Sequence, residues 1–257
     1  ALWAQKGAGI ENERARRVVT DRWDNVYITG YFGGTSTFGS TNLISAGGFD
    51  VFVAKYDKNG TLKWIKKAGG NSADEGKGLG IDSMGNVYVS GTFTGTANFD
   101  GLSLTATGGQ DAFLAKYDST GGIQWVKAGG GPGNDMSNAL ATDAAGNSLI
   151  SGEFTGTATF GSASVTANQP ASFLAKYDAA GSLIWLKKAQ ASVSLKIMAS
   201  GVDGAGNSYH TGSFEGTGQW DTQALTSTGL TDVFTAKYNA AGEALWVRKG
   251  GSVNHDG

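Results

Sequence analysis

The sequence predicts an all-β protein built by tandem copying of a unit of about 61 residues, and three observations predict it. Trp3, Trp64, Trp125, Trp185 and Trp246 are spaced by 61, 61, 60 and 61 residues, a regularity that a single-copy domain has no reason to show. Other positions keep the same step: Ala54-Lys55-Tyr56-Asp57 returns at 115–118, 175–178 and, with Asn239 in place of Asp, at 236–239. Phe32, Phe93, Phe154 and Phe214 also keep step, as do Phe38, Phe99, Phe160 and Trp220. No window carries a 3.6-residue apolar period. Short alternating runs bounded by Gly, Asn and Asp dominate instead, which is the pattern of strands and turns.

The phasing places four units at 9–69, 70–129, 130–190 and 191–250 in one continuous array. Residues 1–8 match the tail of a unit, and residues 251–257 match the opening of another. The chain starts inside a predicted strand and stops where a further unit would begin. We read it as part of a longer array; the alternative is a complete domain whose first strand closes a ring.

In the second unit the first strand is expected at Gly78–Asp82, the second at Val87–Phe93, the third at Ala112–Tyr117 and the fourth at Ile123–Lys127. The Gly/Thr-rich stretch 94–110 joins the second to the third, with room for a short extra hairpin. Asp82-Ser83-Met84-Gly85 and Asp57-Lys58-Asn59-Gly60 fit a type I turn followed by a left-handed residue, with the Asp carboxylate accepting backbone N–H groups inside the turn. Asp24 stands where Gly is expected, and Asp tolerates positive φ better than most residues.

One face of the first strand is lined by small residues: Gly78 and Gly80, Ala139 and Ala141, Ala199 and Gly201. Such a strand permits close approach of neighbouring backbone, as the innermost strand of a propeller blade requires. The first unit departs, with Arg17 and Val19 at these places, so either its blade is expected to sit less tightly or Arg17 to point out of an open end. The fold class that follows is a β-propeller of tandem four-stranded blades. The Trp strand is then outermost, and Trp3, Trp64, Trp125, Trp185 and Trp246 are its structural anchors against the next blade. An indole buries ~150–250 Å², worth up to ~4–6 kcal/mol by area alone and less once burial in the unfolded chain is counted. Lys55 and its copies are assigned a structural job, the stem packed and the ammonium near an aromatic face or a turn carboxylate.

Composition limits function. Glycine is abundant, at 42 residues, but falls at fixed offsets among apolar residues, so the chain is not a disordered linker. A net charge of −2 argues against a nucleic-acid or polybasic membrane partner. No stretch approaches the ~20 apolar residues of a membrane span, so direct membrane insertion is not expected. Cysteine is absent, which excludes disulfides and thiolate zinc sites within these residues.

The string Gly-Asn-Val-Tyr-Val-Ser-Gly (85–91), followed by Asp-Ala-Phe-Leu-Ala-Lys-Tyr-Asp (111–118) and Gly-Ile-Gln-Trp (122–125), resembles the bacterial SBBP-type β-propeller repeat. The resemblance extends over essentially the whole chain. It implies four-stranded blades, an extracellular or cell-surface location and membership of large multidomain proteins, and it implies no activity. The tail Asp118, Gly121, Trp125 is also similar to the tryptophan-docking motif of quinoprotein propellers, many of which carry a cofactor-contacting cysteine pair that this chain lacks.

Chemistry-bearing patterns are few. His210 and His255 are the two histidines, neither with a nucleophile at a recognisable spacing, so no catalytic residue, metal site or cofactor is assigned. Four of the five arginines (Arg14, Arg16, Arg17, Arg22) cluster in the first unit, which fits a solvated, atypical first blade. The candidate ligand-binding residues precede each first strand, in loops joining one blade to the next: Glu11 and Glu13, Asp74 and Glu75, Asn134 and Asp135. These oxygen-rich loops contain no twelve-residue calcium motif, and the fourth unit has Ser192, Ser194 and Lys196 there instead. The function expected is a non-catalytic, secreted or surface scaffold that contacts other surface proteins or glycans alongside further repeats or domains of the same chain. The alternatives are a lectin-like module, with Trp23, Tyr31 or Trp220 stacking on sugars, and an accessory domain of a larger secreted enzyme.

Overall fold

The computed structural model describes Ala4, Gly7–Gly9 and residues 11–252. Trp3 and His255 lie outside the described residues. Every regular element among them is a β-strand. β1 is Gly7–Gly9. The first unit holds β2 (Glu13–Thr20), β3 (Val26–Phe32), β4 (Thr35–Phe38), β5 (Thr41–Ile44), β6 (Asp50–Tyr56) and β7 (Leu62–Gly70). The second holds β8 (Glu75–Ile81), β9 (Val87–Phe99), β10 (Leu102–Tyr117) and β11 (Ile123–Gly130). The third holds β12 (Met136–Thr142), β13 (Ser148–Phe160), β14 (Ala163–Tyr177) and β15 (Leu183–Ala191), and the fourth β16 (Ser194–Val202), β17 (Ser208–Trp220), β18 (Gln223–Tyr238) and β19 (Ala244–Gly250).

Pairing is antiparallel throughout and, in the last three units, follows chain order. The Gly/Thr-rich stretch 94–110 is not a separate hairpin. It prolongs the second and third strands into β9 and β10, which turn over at Asp100-Gly101, both at positive φ, as a two-residue hairpin needs. In the first unit the same stretch breaks away as β4 and β5. These long second strands stitch one unit to the next, because the end of each last strand pairs with the second strand of the following unit. Gly69 and Gly70 pair with Asn98 and Ala97, and Gly129 and Gly130 with Phe160 and Thr159. At β1, Gly7–Gly9 pairs with β4 in the same manner, so the tail-like residues at the start occupy the place of a preceding last strand.

The turns close as their residues dictate. Asp82 Oδ1 accepts the N–H groups of Met84 and Asn86, and Oδ2 accepts the Asn86 side-chain amide. Gly85 takes φ 81°, and Asp24 takes φ 63° at the matching place of the first unit. Asp118 binds the N–H groups of Thr120 and Gly122 in the same way.

Most of the core lies between units, with a smaller cluster of Phe32, Phe38 and Phe52 inside the first. Tyr27, Val51 and Val53 of the first unit pack with Val89, Phe93, Phe99 and Phe113 of the second. Ala112 and Leu114 of the second pack with Ile150, Phe154 and Phe173 of the third, and Leu149, Leu174 and Trp185 of the third with Ile197, Phe214 and Phe234 of the fourth. One unit alone has nothing against which to bury its faces, so stability is shared with its neighbours. The first strands lie side by side, β8 between β2 and β12, and β12 between β8 and β16. Their small residues make this possible: a Cβ on Gly78 would stand 2.5 Å from the Leu140 Cβ, and one on Gly80 2.3 Å from the Thr142 hydroxyl. The strand path runs openly from β2 to β19.

Candidate functional site

Each junction between units is locked by one tryptophan and one lysine. The Trp64 indole covers Gly121, in the turn of the next unit, and its Nε1 donates to the Ser119 carbonyl at 3.2 Å. The Lys55 ammonium donates to the same carbonyl at 3.2 Å and stands 5.1 Å from the Tyr27 ring. Trp125 and Lys116 repeat this on the Ala179 carbonyl, with Lys116 5.2 Å from the Tyr88 ring. Trp185 donates to the Ala240 carbonyl, while Lys176 turns to that of Gly206. Lys55, Lys116 and Lys176 are thereby occupied in holding turns, while Lys237 stands 5.0 Å from the Tyr209 ring.

Four of the six loop candidates are likewise engaged in local structure. Asp74 is buried, its two oxygens accepting the N–H groups of Gly70 and Thr94. Burial pushes its carboxyl up to about 6, with those two N–H groups pulling down and the nearby Asp50 charge pushing up. Asp135 accepts the N–H groups of Gly131 and Thr155 from an equally buried place. The exposed Asn134 accepts the N–H of Gln110, and Glu13 accepts the Ser36 hydroxyl. Glu11 is exposed beside Gly33 and Gly34. The structure therefore does not gather the six into one site; Glu75 alone faces a cavity shared by all four units.

That cavity, about 460 Å³, is lined by Arg16 and Arg17 of β2, Glu75 and Lys77 of β8, Asn138 of β12, Glu153 of β13, and Lys196 and Met198 of β16. Its origin is a defect repeated in every unit. The pairing of first with second strand slips by one residue between Ala15 and Arg17, Gly76 and Gly78, Ser137 and Ala139, and Ile197 and Ala199. The extra residues are Arg16, Lys77, Asn138 and Met198, so each β-bulge places its own side chain on the common concave surface. A glycine stands opposite every bulge: Gly30, Gly91, Gly152 and Gly212 pair with Ala15, Gly76, Ser137 and Ile197. A Cβ at these glycines would fall 1.7–1.9 Å from the carbonyl oxygen of Arg14, Glu75, Met136 or Lys196. Only a residue without a side chain lets the first strand approach this closely.

The charges on this surface interlock. Arg16 pairs with Glu75 at 3.3 Å, and Lys77 lies 4.0 Å from the same carboxylate. Lys196 pairs with Glu153 at 3.2 Å, and the Asn138 amide donates to the other oxygen of Glu153 at 3.2 Å. Burial pushes the Lys77 ammonium below its ordinary range; Glu75 and Glu153 oppose that shift and Arg16 adds to it. The residues at the bulges, Arg16, Lys77, Asn138 and Met198, share no residue type, so the first strand itself carries no repeated signal for them. The available signal was the interior strand glycine at 30, 91, 152 and 212, which marks a bulge or a close backbone approach.

Of the aromatic residues considered for sugar stacking, Trp220 is fully buried against Phe214 and Phe234, which corrects its reading as exposed. Tyr31 is half-buried between Phe49 and the Arg16 guanidinium. Trp23 remains on the surface, 48% exposed, with the Arg22 guanidinium 4.3 Å over its ring.

His210, the one histidine among the described residues, is buried between two hydroxyls, with Nδ1 2.9 Å from Ser200 and Nε2 3.0 Å from Ser208. Burial holds its imidazole down at about 3, so it is neutral in the folded protein. An unfolded chain binds the proton near pH 6.5, so stability is lost progressively as pH falls from there toward 3. His210→Val, which installs the residue found at Val89, is expected to reduce that loss in urea titrations across this window. A slope unchanged from wild type contradicts the assignment.

Comparison with known proteins agrees with this architecture. Residues 63–100, spanning the first junction, match the family model described as SBBP, β-propeller repeat. An uncharacterized WD repeat-containing protein of Acanthamoeba polyphaga mimivirus is 25% identical over 99% of this chain, which covers 17% of that protein. The regulatory protein FlaEY of Caulobacter vibrioides is 30% identical over 53% of the chain, which covers 15% of it. The chain thus spans less than a fifth of the length of either relative. Residues 63–100 thus match the SBBP β-propeller repeat, and the positions that carry the match recur in the other units.

Proposed function

We propose that the chain is an arc of four β-propeller blades, each a four-stranded sheet, that serves as a non-catalytic scaffold for protein interaction, displayed at the cell surface or secreted. One observation carries the reading: the division between residues that repeat and residues that do not. The repeated Trp, Lys and turn Asp are occupied in joining and closing units. The bulge positions, identical in backbone, carry Arg, Lys, Asn and Met and converge on one concave surface. A scaffold that holds its frame constant and varies one surface suits recognition of a specific partner. The surface or secreted location rests on the family resemblance alone, and protection of the protein from protease added to intact cells contradicts it.

The interaction reading is tested by placing a photo-crosslinking residue at position 138 or, as a control on the outer strand, at position 63 of the full-length protein. A discrete adduct from 138 that is absent from 63 is expected. Adducts from 63 alone, or from neither, contradict it. Glycan binding is a second reading, favoured by the surface position of Trp23. It requires glycan-array signal that disappears in Trp23→Ala.

A further inference from the structure

Resting on the reading of the concave pocket as the interaction surface, we propose that this pocket binds a doubly charged oxyanion: a dicarboxylate or phosphate group, free in solution or carried on an acidic partner segment. The argument begins with charge. Four cations, Arg16, Arg17, Lys77 and Lys196, line the cavity with two carboxylates, Glu75 and Glu153. Each carboxylate is already approached by two of the pocket's donor side chains, Glu75 by Arg16 and Lys77, and Glu153 by Lys196 and Asn138. Among the described residues no carboxylate lies within ion-pair distance of Arg17. The pocket has positive charge to spare, and its acceptors are spoken for.

Geometry makes the excess usable. The cations come from three strands of three different units, β2, β8 and β16, and so surround the cavity rather than forming a stripe along one strand. Arg16 and Lys77 arrive as bulged residues, a backbone arrangement that aims a side chain where regular pairing would not. The Lys77 side chain is only 20% exposed and has a cationic neighbour in Arg16. An anion beside it replaces lost hydration with charge-assisted hydrogen bonds, and guanidinium groups offer two parallel donors to a carboxylate or phosphate. A cavity of about 460 Å³ admits a group of this size, with Met198 forming an apolar wall.

The test is isothermal titration of the purified chain with inorganic phosphate, succinate and a hexaglutamate peptide, with sodium chloride at matched ionic strength as the control. Saturable binding of at least one probe is expected, weakened at least tenfold in Lys77→Met and in Arg17→Gln. Arg17 is solvent-facing, so its variant keeps the fold if Lys77→Met does not. Binding of the small anions identifies a free ligand, and binding of the peptide alone identifies a partner segment. No binding at millimolar probe, or wild-type affinity retained in both variants, overturns the proposal. If crosslinks form at position 138 while no anion binds, the scaffold reading stands and this one falls.

Discussion

Trp185→Ala is expected to destabilise the folded array by ~3–5 kcal/mol. The indole is 8% exposed, stacks with Tyr238 at 6.4 Å between centroids and donates to the Ala240 carbonyl at 3.1 Å. It also covers Gly242, where a Cβ would stand 2.8 Å from the ring, so no nearby side chain can collapse into the space it leaves. Truncation removes the contact, the cavity stays, and the Ala240 carbonyl loses its donor. Trp246 is the internal comparison. It is half-buried, with Tyr209 as its ring neighbour at 6.4 Å and no turn of a further unit against it among the described residues. In the isolated chain of these 257 residues, Trp246→Ala is expected to cost less than half as much. Urea unfolding of the two variants measures the difference, and equal losses would show that the indoles act within units rather than between them.

Gly152→Ala is expected to cost ~2–3 kcal/mol by overpacking, a large effect for one methyl group. The added carbon would fall 1.7 Å from the Met136 carbonyl oxygen, and backbone cannot swing aside as a flexible side chain can. Relief requires β12 to move away from β13, which undoes the bulge that presents Asn138. The variant is therefore expected to lose both stability and the position-138 crosslink. Gly156→Ala is a contrasting substitution. Its glycine has φ 72° but nothing within 4 Å of the added carbon, so it carries backbone strain alone, at about 1 kcal/mol. Similar losses for the two would remove the steric explanation of the bulge.

Much of the frame was legible because its signals are local. A turn Asp and a glycine at a fixed offset determine their hairpin whatever surrounds them, and Asp24 took up positive φ where glycine was missing. The Gly/Thr-rich stretch was harder. Its alternation is compatible both with a separate hairpin and with prolonged strands, and pairing with the preceding unit at Asn98 and Ala97 favoured the second. Trp220 occupies the place of Phe38, Phe99 and Phe160, and like them it is buried against the third-strand aromatic of its own unit, Phe234 beside Phe52, Phe113 and Phe173, a contact across strands that composition alone does not reveal.

The acidic loop residues show the same division. Asp74 and Glu75 are adjacent in sequence and equally polar, yet one is buried against backbone N–H groups and the other faces the shared cavity. The repeating unit, the order of its strands and the chemistry of its turns are written in the chain, since they follow from periodicity and from conformational preferences acting over a few residues. Which side chains share a surface depends instead on how the units pack. A one-residue bulge reverses where a side chain points, and Arg16, Lys77, Asn138 and Met198 meet through the packing of first strands from four different units, a contact that no short-range pattern records.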